Sequence, residues 1–528
     1  NIYNARQFLY DSLTRVATES KTQFQERVYV YDFQPVTKVR QLIISFPDAA
    51  RYIYYIKAFD QQGNEHIVYE YSARSHCKET YEWLIITVPP ISYTITSIEV
   101  GTFQKIKTVD KIGTSQLENV NDLLGQLMRN GLAESYCAIT SFIADRERLS
   151  PNEVNSDKSE VKPIVSADGS RLYFHRQNFK ENIGGSSDDQ DIYVTENKAN
   201  QWSKALNLGS PVNNKSSNGI ASIMPGENGA YLINEYKNNK IGGQGVSFSK
   251  KELKGWSMPE KVLIEDFSNN SPYFDFCIST SMGEMILAID KGDGWGDQDL
   301  YISRYNDDSS KWSAPVNLGE VVNTPLAETS PYLAADGKTL YFASEGHLGY
   351  GGFDLFITKR LDNTWTNWSQ PENLGSIINS DEHDLYYSVS ALADYAYFSS
   401  GPDNNRDLYR IPLPKVYKPA PVTIIQGYAI TTDSAIVTAT IRVLNKKGMW
   451  LTSAKSSEVD GFYRAIIPID SSCIVQLAKQ GQLLLSDTLS TLGYSGKKIV
   501  LKNFVLPDTS LTTFSSAAEA EMIAPLQN

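Results

Sequence analysis

Short apolar runs, alternating with polar residues and stopped by Gly, Asp and Pro, fill most of this chain, which is the pattern of strands and tight turns. In the middle the pattern itself repeats. Pro331-Tyr332-Leu333 begins a strand that stops at Asp336-Gly337, a strong hairpin signal, and Leu340-Tyr341-Phe342 returns. A Gly-rich connection from Gly349 to Gly352 leads into Asp354-Leu355-Phe356-Ile357, and Trp368 to Leu374 supplies an outer strand. The Asp-aliphatic-aromatic signature recurs at Asp191, Asp299, Asp354 and Asp407, with a degenerate copy at Gly245 to Phe248. Trp-Ser pairs follow at Trp202, Trp256, Trp312 and Trp368. A repeat of about 54 residues built from β-formers predicts one four-stranded sheet copied around an axis, a β-propeller.

Five copies predict five blades, and six is the alternative if residues 95–150 hide a degenerate unit. The last copy breaks at Ile411-Pro412-Leu413-Pro414 without its Trp-Ser strand, while Val154-Asn155-Ser156-Asp157 matches Ile378-Asn379-Ser380-Asp381. The missing strand is therefore expected from the N-terminal side, at Ala138 to Ala144, closing the ring and removing its edges.

The flanks are read by the same means. Residues 1–20 have helical spacing and 21–112 read as strands, including Arg40 to Ile44, Tyr54 to Phe59, His66 to Tyr69, Trp83 to Ile86 and Thr94 to Val100. Residues 113–137, with Gln116 to Asn130 at their centre, read as a helical linker. The propeller is placed at 138–416. Tyr417-Lys418-Pro419-Ala420-Pro421 opens a β-sandwich at 417–506, and the small polar residues 507–528 read as a flexible tail. The expected class is thus all-β: a five-bladed β-propeller flanked by an N-terminal strand-rich domain that resembles a jelly roll and a C-terminal β-sandwich that resembles a transthyretin-like fold.

Composition narrows the function. A net charge of −12 gives no electrostatic reason to bind nucleic acid. No apolar run approaches the roughly 18 residues that would span a bilayer, so no transmembrane segment is expected. The four cysteines, Cys77, Cys137, Cys277 and Cys473, are scattered without a C-x-x-C pair, against a disulfide framework or a zinc site. The chain starts at Asn1 without a signal-like segment, which leads to the expectation of a processed, exported protein.

Three resemblances add to this reading. Ser166-Ala167-Asp168-Gly169 with Leu172-Tyr173-Phe174, and Leu333 to Phe342, resemble the TolB-type, WD-like (PD40-type) propeller repeat. Residues 21–112 loosely resemble a discoidin-like, galactose-binding-type jelly roll. Gly427 with Asp460-Gly461-Phe462-Tyr463 resembles the carboxypeptidase regulatory-like domain. The propeller followed by that domain is similar to OmpA-associated Bacteroidota envelope proteins of type IX secretion and gliding assemblies, although no OmpA-like domain follows before Asn528. The resemblance implies a periplasmic or outer-membrane setting. It also implies a non-enzymatic scaffold, with other envelope proteins, outer-membrane or secretion-complex components, as partners. Glycan or peptidoglycan binding is the alternative, and a polysaccharide-active enzyme the third reading. That third reading predicts a polar pocket on the propeller axis lined by residues that break the repeat.

Candidate chemistry is sparse. Asp290, Asp293, Asp297 and Asp299 share a Gly-rich loop that resembles a calcium site, since hard cations take several oxygens. The twelfth position from Asp290 holds Tyr301 rather than a bidentate Glu, and the competing reading is an inter-strand loop whose last Asp caps a turn. No other cofactor is expected. The Asp-Gly pairs sit at hairpins and are geometric; the sialidase Asp-box is absent. His175-Arg176, His347 and Glu382-His383-Asp384 depart from the repeat and are the better catalytic candidates. Asn178-Phe179 and Asn363 to Trp368 are candidate contact loops.

Overall fold

The computed structural model describes residues 16–21, 27–37, 41–45, 53–70, 83–87, 95–102, 111–115 and 136–140. It also describes 146–507, apart from 199, 307–308, 348, 376–377, 381, 403, 414–416, 470–471 and 492–497. The chain forms two compact units, residues 1–145 with 375–377, and 146–374 with 378–528.

The first unit contains two sheets. One orders Val16–Lys21, Arg27–Thr37, Ile95–Thr102, Ile53–Asp60 and Glu65–Glu70; the other orders Lys111–Ser115, Gln41–Ser45, Trp83–Thr87 and Tyr136–Thr140. Ile56, Ala58, Ile98 and Val100 are fully buried, the alternation expected of strands with one face inward. The turn at 60–64 is held by Asp60, whose Oδ1 accepts from the amides of Gln62 (2.9 Å) and Asn64 (2.8 Å). Val16–Lys21 is a strand, where the sequence suggested a helix across 1–20. The expected helix at 116–130 lies outside the described residues.

The second unit contains five blades. Their innermost strands are Glu160–Val165, Gly219–Ile223, Asp275–Ile278, Glu328–Leu333 and Leu385–Val389, each starting an antiparallel sheet. Five blades are observed, and the sixth is excluded from residues 95–102 and 136–140, which belong to the first unit. Ring closure differs from expectation. Tyr136–Thr140 pairs in parallel with Trp83–Thr87, and the fifth blade is instead completed by Glu147–Arg148 beside Asp407–Pro412. Two ion pairs fix that two-residue strand, Arg148 with Asp407 at 2.7 Å and Arg410 with Glu147 at 2.8 Å. The next residue, Leu149, is buried against Tyr397 and Leu408 of the same blade, so ion pairs and apolar packing close the ring together.

The repeated motifs have direct physical causes. Ser203, Ser257, Ser313 and Ser369 each receive two hydrogen bonds from the third strand of their own blade. Their Oγ accepts from the amide of Glu196, Lys250, Arg304 or Lys359, and their carbonyl from the hydroxyl of Thr195, Ser249, Ser303 or Thr358. The Trp before each serine is buried between blades. The Asp-Gly hairpins turn at Gly169 and Gly337, where φ is +77° and +65°, a region glycine enters without steric cost.

The sandwich packs Val422–Thr431, Phe462–Pro468, Lys498–Leu501 and Phe504–Leu506 against Trp450–Lys455, Thr440–Asn445, Ser472–Lys479 and Gln482–Ser490. It docks on the propeller's hairpin end. Val422, Ile424 and Ile466 meet Ala391, Ala167 and Ala335, and Arg464, 5% exposed, pairs with Asp168 at 2.7 Å and Glu227 at 3.7 Å. Ile466 also lines a cavity of about 50 Å³ on the propeller axis, among Ile164, Ala221, Cys277 and Leu333. The sandwich therefore stoppers one end of the axis with apolar side chains.

Candidate functional site at the propeller axis

Most sequence candidates are consumed by architecture. Asp191 Oδ2 accepts from the Ile183 amide (2.7 Å) and Asn207 Nδ2 (2.7 Å), and Asp299 Oδ2 accepts from the Trp295 amide (2.6 Å) and Asn317 Nδ2 (2.9 Å). The signature aspartates are thus turn caps. Burial pushes Asp191 and Asp354 up to about 6. A second repeated device escaped notice in the sequence. Asn155, Asn213, Asn323 and Asn379 each donate to a carbonyl and accept from the amide of Leu408, Ile192, Leu300 or Leu355, bracketing one residue of the third strand. Five residues after each, Glu160, Asn218, Glu328 or Asp384 accepts from the backbone amide of Ser156, Asn214, Thr324 or Ser380. The signal was present as an Asn at fixed spacing with an acid or amide five residues on.

The four loop aspartates do not gather. Asp299 is the cap just described, Asp293 accepts from Tyr301 Oη at 3.0 Å, and Asp290 accepts from the Gly292 amide at 2.8 Å. Among the described residues no three His, Cys, Asp or Glu side chains are placed to share a metal ion. The calcium reading of Asp290, Asp293, Asp297 and Asp299 is therefore corrected: the loop is organised by hydrogen bonds to its own backbone and to Tyr301.

The repeat-breaking histidines are also accounted for. His175 Nε2 accepts from the Ile220 amide at 2.8 Å, and burial drops its pKa to about 3, so the ring is neutral. Arg176 pairs with Glu160 at 2.8 Å and lies over Phe179 and Tyr193, 4.5 and 4.7 Å from their ring centres. His347 Nε2 donates to the Val322 carbonyl (2.9 Å), and His383 Nδ1 accepts from the Phe353 amide (3.0 Å). Asp384 caps Ser380. None of these groups is poised for catalysis. The proposed contact loops fare similarly: Trp365 and Trp368 are buried, and Phe179 packs edge-on against Tyr193.

What remains is the axis itself, at the end away from the sandwich. The innermost strands of the first, second, fourth and fifth blades each shift register near their start, between Val161 and Ile164, Ile220 and Ser222, Thr329 and Tyr332, and Leu385 and Ser388. At three of these bulges, in the first, fourth and fifth blades, Lys162, Ser330 and Tyr386 adopt φ of +54°, +52° and +61°. Non-glycine residues rarely occupy that region, each costing on the order of 1–3 kcal/mol, and bulges re-aim side chains. The third blade runs without a shift and supplies Asp275. Lys162 Nζ donates to Asp275 Oδ1 across the ring, and the Tyr386 ring lies 5.3 Å from the same Nζ. Both ends of the pair are buried, at 5% exposure each. Burial pushes the Asp275 carboxyl up, and Lys162 opposes that shift. Asp275 Oδ2 and Ser330 Oγ, also buried, find no hydrogen-bond partner among the described residues.

Exposed aromatics stand on the same side of the third blade. Tyr273, two residues before Asp275, is 72% exposed, and Trp295 is 55% exposed. Gln298 Nε2 donates to the Tyr273 carbonyl at 3.0 Å, and Asn269 Oδ1 accepts from the Asp290 amide at 2.8 Å, tying the two loops together.

No family model and no curated protein matches the chain. Solved structures do. One titled a glycoside hydrolase is 11% identical over 52% of this chain and 92% of its own, with a TM-score of 0.34. The xyloglucan-locus GH43B protein of Bacteroides ovatus is 11% identical over 66% and 84%, with a TM-score of 0.33. The α-L-arabinofuranosidase Arb93A of Fusarium graminearum is 10% identical over 52% and 99%, also at 0.33. These likenesses are of fold. They run against the expectation of a non-enzymatic scaffold, in which binding ranked above catalysis, because the solved proteins that the chain resembles carry enzyme titles. That expectation is withdrawn.

Proposed function

We propose that this chain is a glycan-active propeller whose working centre is the axial pair Lys162 and Asp275. The observation that carries the reading is the placement of this pair: a buried ammonium and carboxylate joined across the ring at positions that differ in every blade. A rigid repeat has no architectural need for such differences, and departures from local consistency concentrate at working sites.

The chemistry follows from the donor set. Lys162 Nζ donates to Asp275 Oδ1, so the pair sets a proton donor beside an acceptor. Asp275 Oδ2 has unused acceptor capacity beside it. A hydrolase with two carboxylates would need a second acid, but Glu160, Glu328 and Asp384 each hold a loop amide. Lys162 is therefore the second member of the acid–base couple. The half-buried Tyr386 ring borders the pair, and the flat faces of Tyr273 and Trp295 suit the C–H face of a sugar ring. The glycan-active titles of the fold neighbours are of the same kind, and the reading rests on the axial residues.

The test is a panel of neutral and uronate-bearing polysaccharides, followed for new reducing ends and for unsaturated products. Turnover of at least one member, weakened by Tyr273→Ala or Trp295→Ala chiefly through KM, is expected. Absence of turnover across the panel refutes the proposal.

A further inference from the structure

Lys162 Nζ and Asp275 Oδ1 are in direct hydrogen-bond contact, and this narrows the reaction that the axial pair can serve. Glycoside hydrolysis sets its two proton-transfer groups on either side of the anomeric centre, about 5–5.5 Å apart when configuration is retained and about 6.5–9.5 Å apart when it is inverted. A donor and an acceptor that touch cannot flank a sugar ring. Both side chains are buried on innermost strands, so the contact is a fixed one. Lys162 and Asp275 therefore work on one face of whatever they act upon.

The neighbouring blades supply a further group. Ser330 and Tyr386 stand two residues after Glu328 and Asp384, as Lys162 stands two after Glu160, so the three hold matching places on their blades. Glu328–Leu333 packs against both Asp275–Ile278 and Leu385–Val389, which puts Ser330 on the blade between Asp275 and Tyr386. Ser330 is 2% exposed, and neither its Oγ nor Asp275 Oδ2 finds a hydrogen-bond partner among the described residues. Burying such groups unpaired is costly, which marks them as groups kept for a ligand. One bare acceptor thus belongs to the pair itself, and one bare hydroxyl to the next blade.

We propose that the pair carries out a same-face β-elimination on a 4-linked uronate whose C5 hydrogen and O4 lie on one side of the ring, the glucuronate and mannuronate configuration. This rests on the glycan-active reading above. Asp275 Oδ2 takes the C5 proton, the C5–H electron pair becomes the C4–C5 double bond, and the C4–O4 pair leaves with the oxygen. Lys162 gives O4 a proton and is left as an amine. The Asp275 carboxyl then returns its proton to the amine beside it, restoring the pair. One proton has moved from C5 to O4, and no water is consumed. The Ser330 hydroxyl is the donor left for the uronate carboxylate, which gathers charge as C5 loses its proton.

The experiment gives the full chain polymannuronate, its C5 epimer polyguluronate, and heparosan, and follows reducing ends together with the ultraviolet absorbance of unsaturated uronate. Both signals rising in step on polymannuronate or heparosan, with neither on polyguluronate, are expected. Ser330→Gly, which the φ of +52° accommodates, should lower kcat/KM on the cleaved substrate about 10–100-fold, the worth of a hydrogen bond to a charged group. Reducing ends without the unsaturated signal overturn the elimination and leave a glycan-active hydrolase standing. Preference for polyguluronate, or turnover of neutral polysaccharides alone, overturns it as well. A Ser330→Gly protein working at the wild-type rate removes Ser330 from the site. Absence of turnover on uronate and neutral polysaccharides alike brings down the glycan-active reading with it.

Discussion

Replacing Lys162 by Met removes the cation from the axis and leaves Asp275 buried. The two side chains are each 7% exposed, and they come from strands 113 residues apart in sequence. Removing one partner of a buried pair costs about 3–5 kcal/mol, because the remaining charge is uncompensated. Asp275 limits the loss by taking up a proton, its carboxyl being already raised by burial. A group whose folded pKa lies above its unfolded value binds the proton more tightly in the folded state. Its stabilisation is full below the unfolded value, near 3.9, and is lost as pH rises through the folded value. The deficit of Lys162→Met should therefore grow from pH 5 to pH 8. The double variant Lys162→Met with Asp275→Leu should recover most of it, since a well-packed apolar replacement is often neutral. Urea unfolding at the two pH values reads both effects. A single-variant loss under about 1 kcal/mol, independent of pH, would refute the account of a tightly coupled axial pair.

Three other outcomes are expected. Arg464→Ala should destabilise the docking of the sandwich on the propeller by about 2–4 kcal/mol, because a buried guanidinium serving Asp168, Glu227 and the Pro225 carbonyl is lost; limited proteolysis in the 414–421 connection reports it. Asp191 and Asp354, raised to about 6, and Glu328, raised to about 7, take up protons on folding. Their contribution is present in full near pH 4 and fades as pH climbs to 7, so Tm should fall over that window in a pH series, and a flat profile would contradict it. Gly427→Ala should unfold the sandwich selectively, since a Cβ there collides with the Lys502 carbonyl; far-UV circular dichroism against temperature would show a separate early transition.

The fold was legible where it is repetitive. Asp191, Asp299 and Asp354 mark the loop end in the first, third and fourth blades because each caps the same turn, and the Trp-Ser pairs mark the outer strand because Ser Oγ and carbonyl both bind the third strand. The match of Asn155 to Asn379 pointed to the true closure, since both bracket a third-strand residue. The closing strand lies at Glu147–Arg148 and not at Ala138 to Ala144, because a strand of two charged residues carries no apolar run to mark it. The axial site was illegible for a different reason. A one-residue bulge reverses which side chain faces the axis, and nothing in Glu160-Val161-Lys162 or Asp384-Leu385-Tyr386 announces where the register slips. The histidines stand out because they depart from the repeat, yet backbone groups satisfy them.

The most direct test compares turnover by the wild-type chain and Asp275→Asn on whichever panel polysaccharide the wild type cleaves. Loss of a positioned acid–base group predicts a fall in kcat of about 10²–10⁴-fold with KM little changed. An Asp275→Asn protein that folds normally and turns over at the wild-type rate would contradict the axial centre.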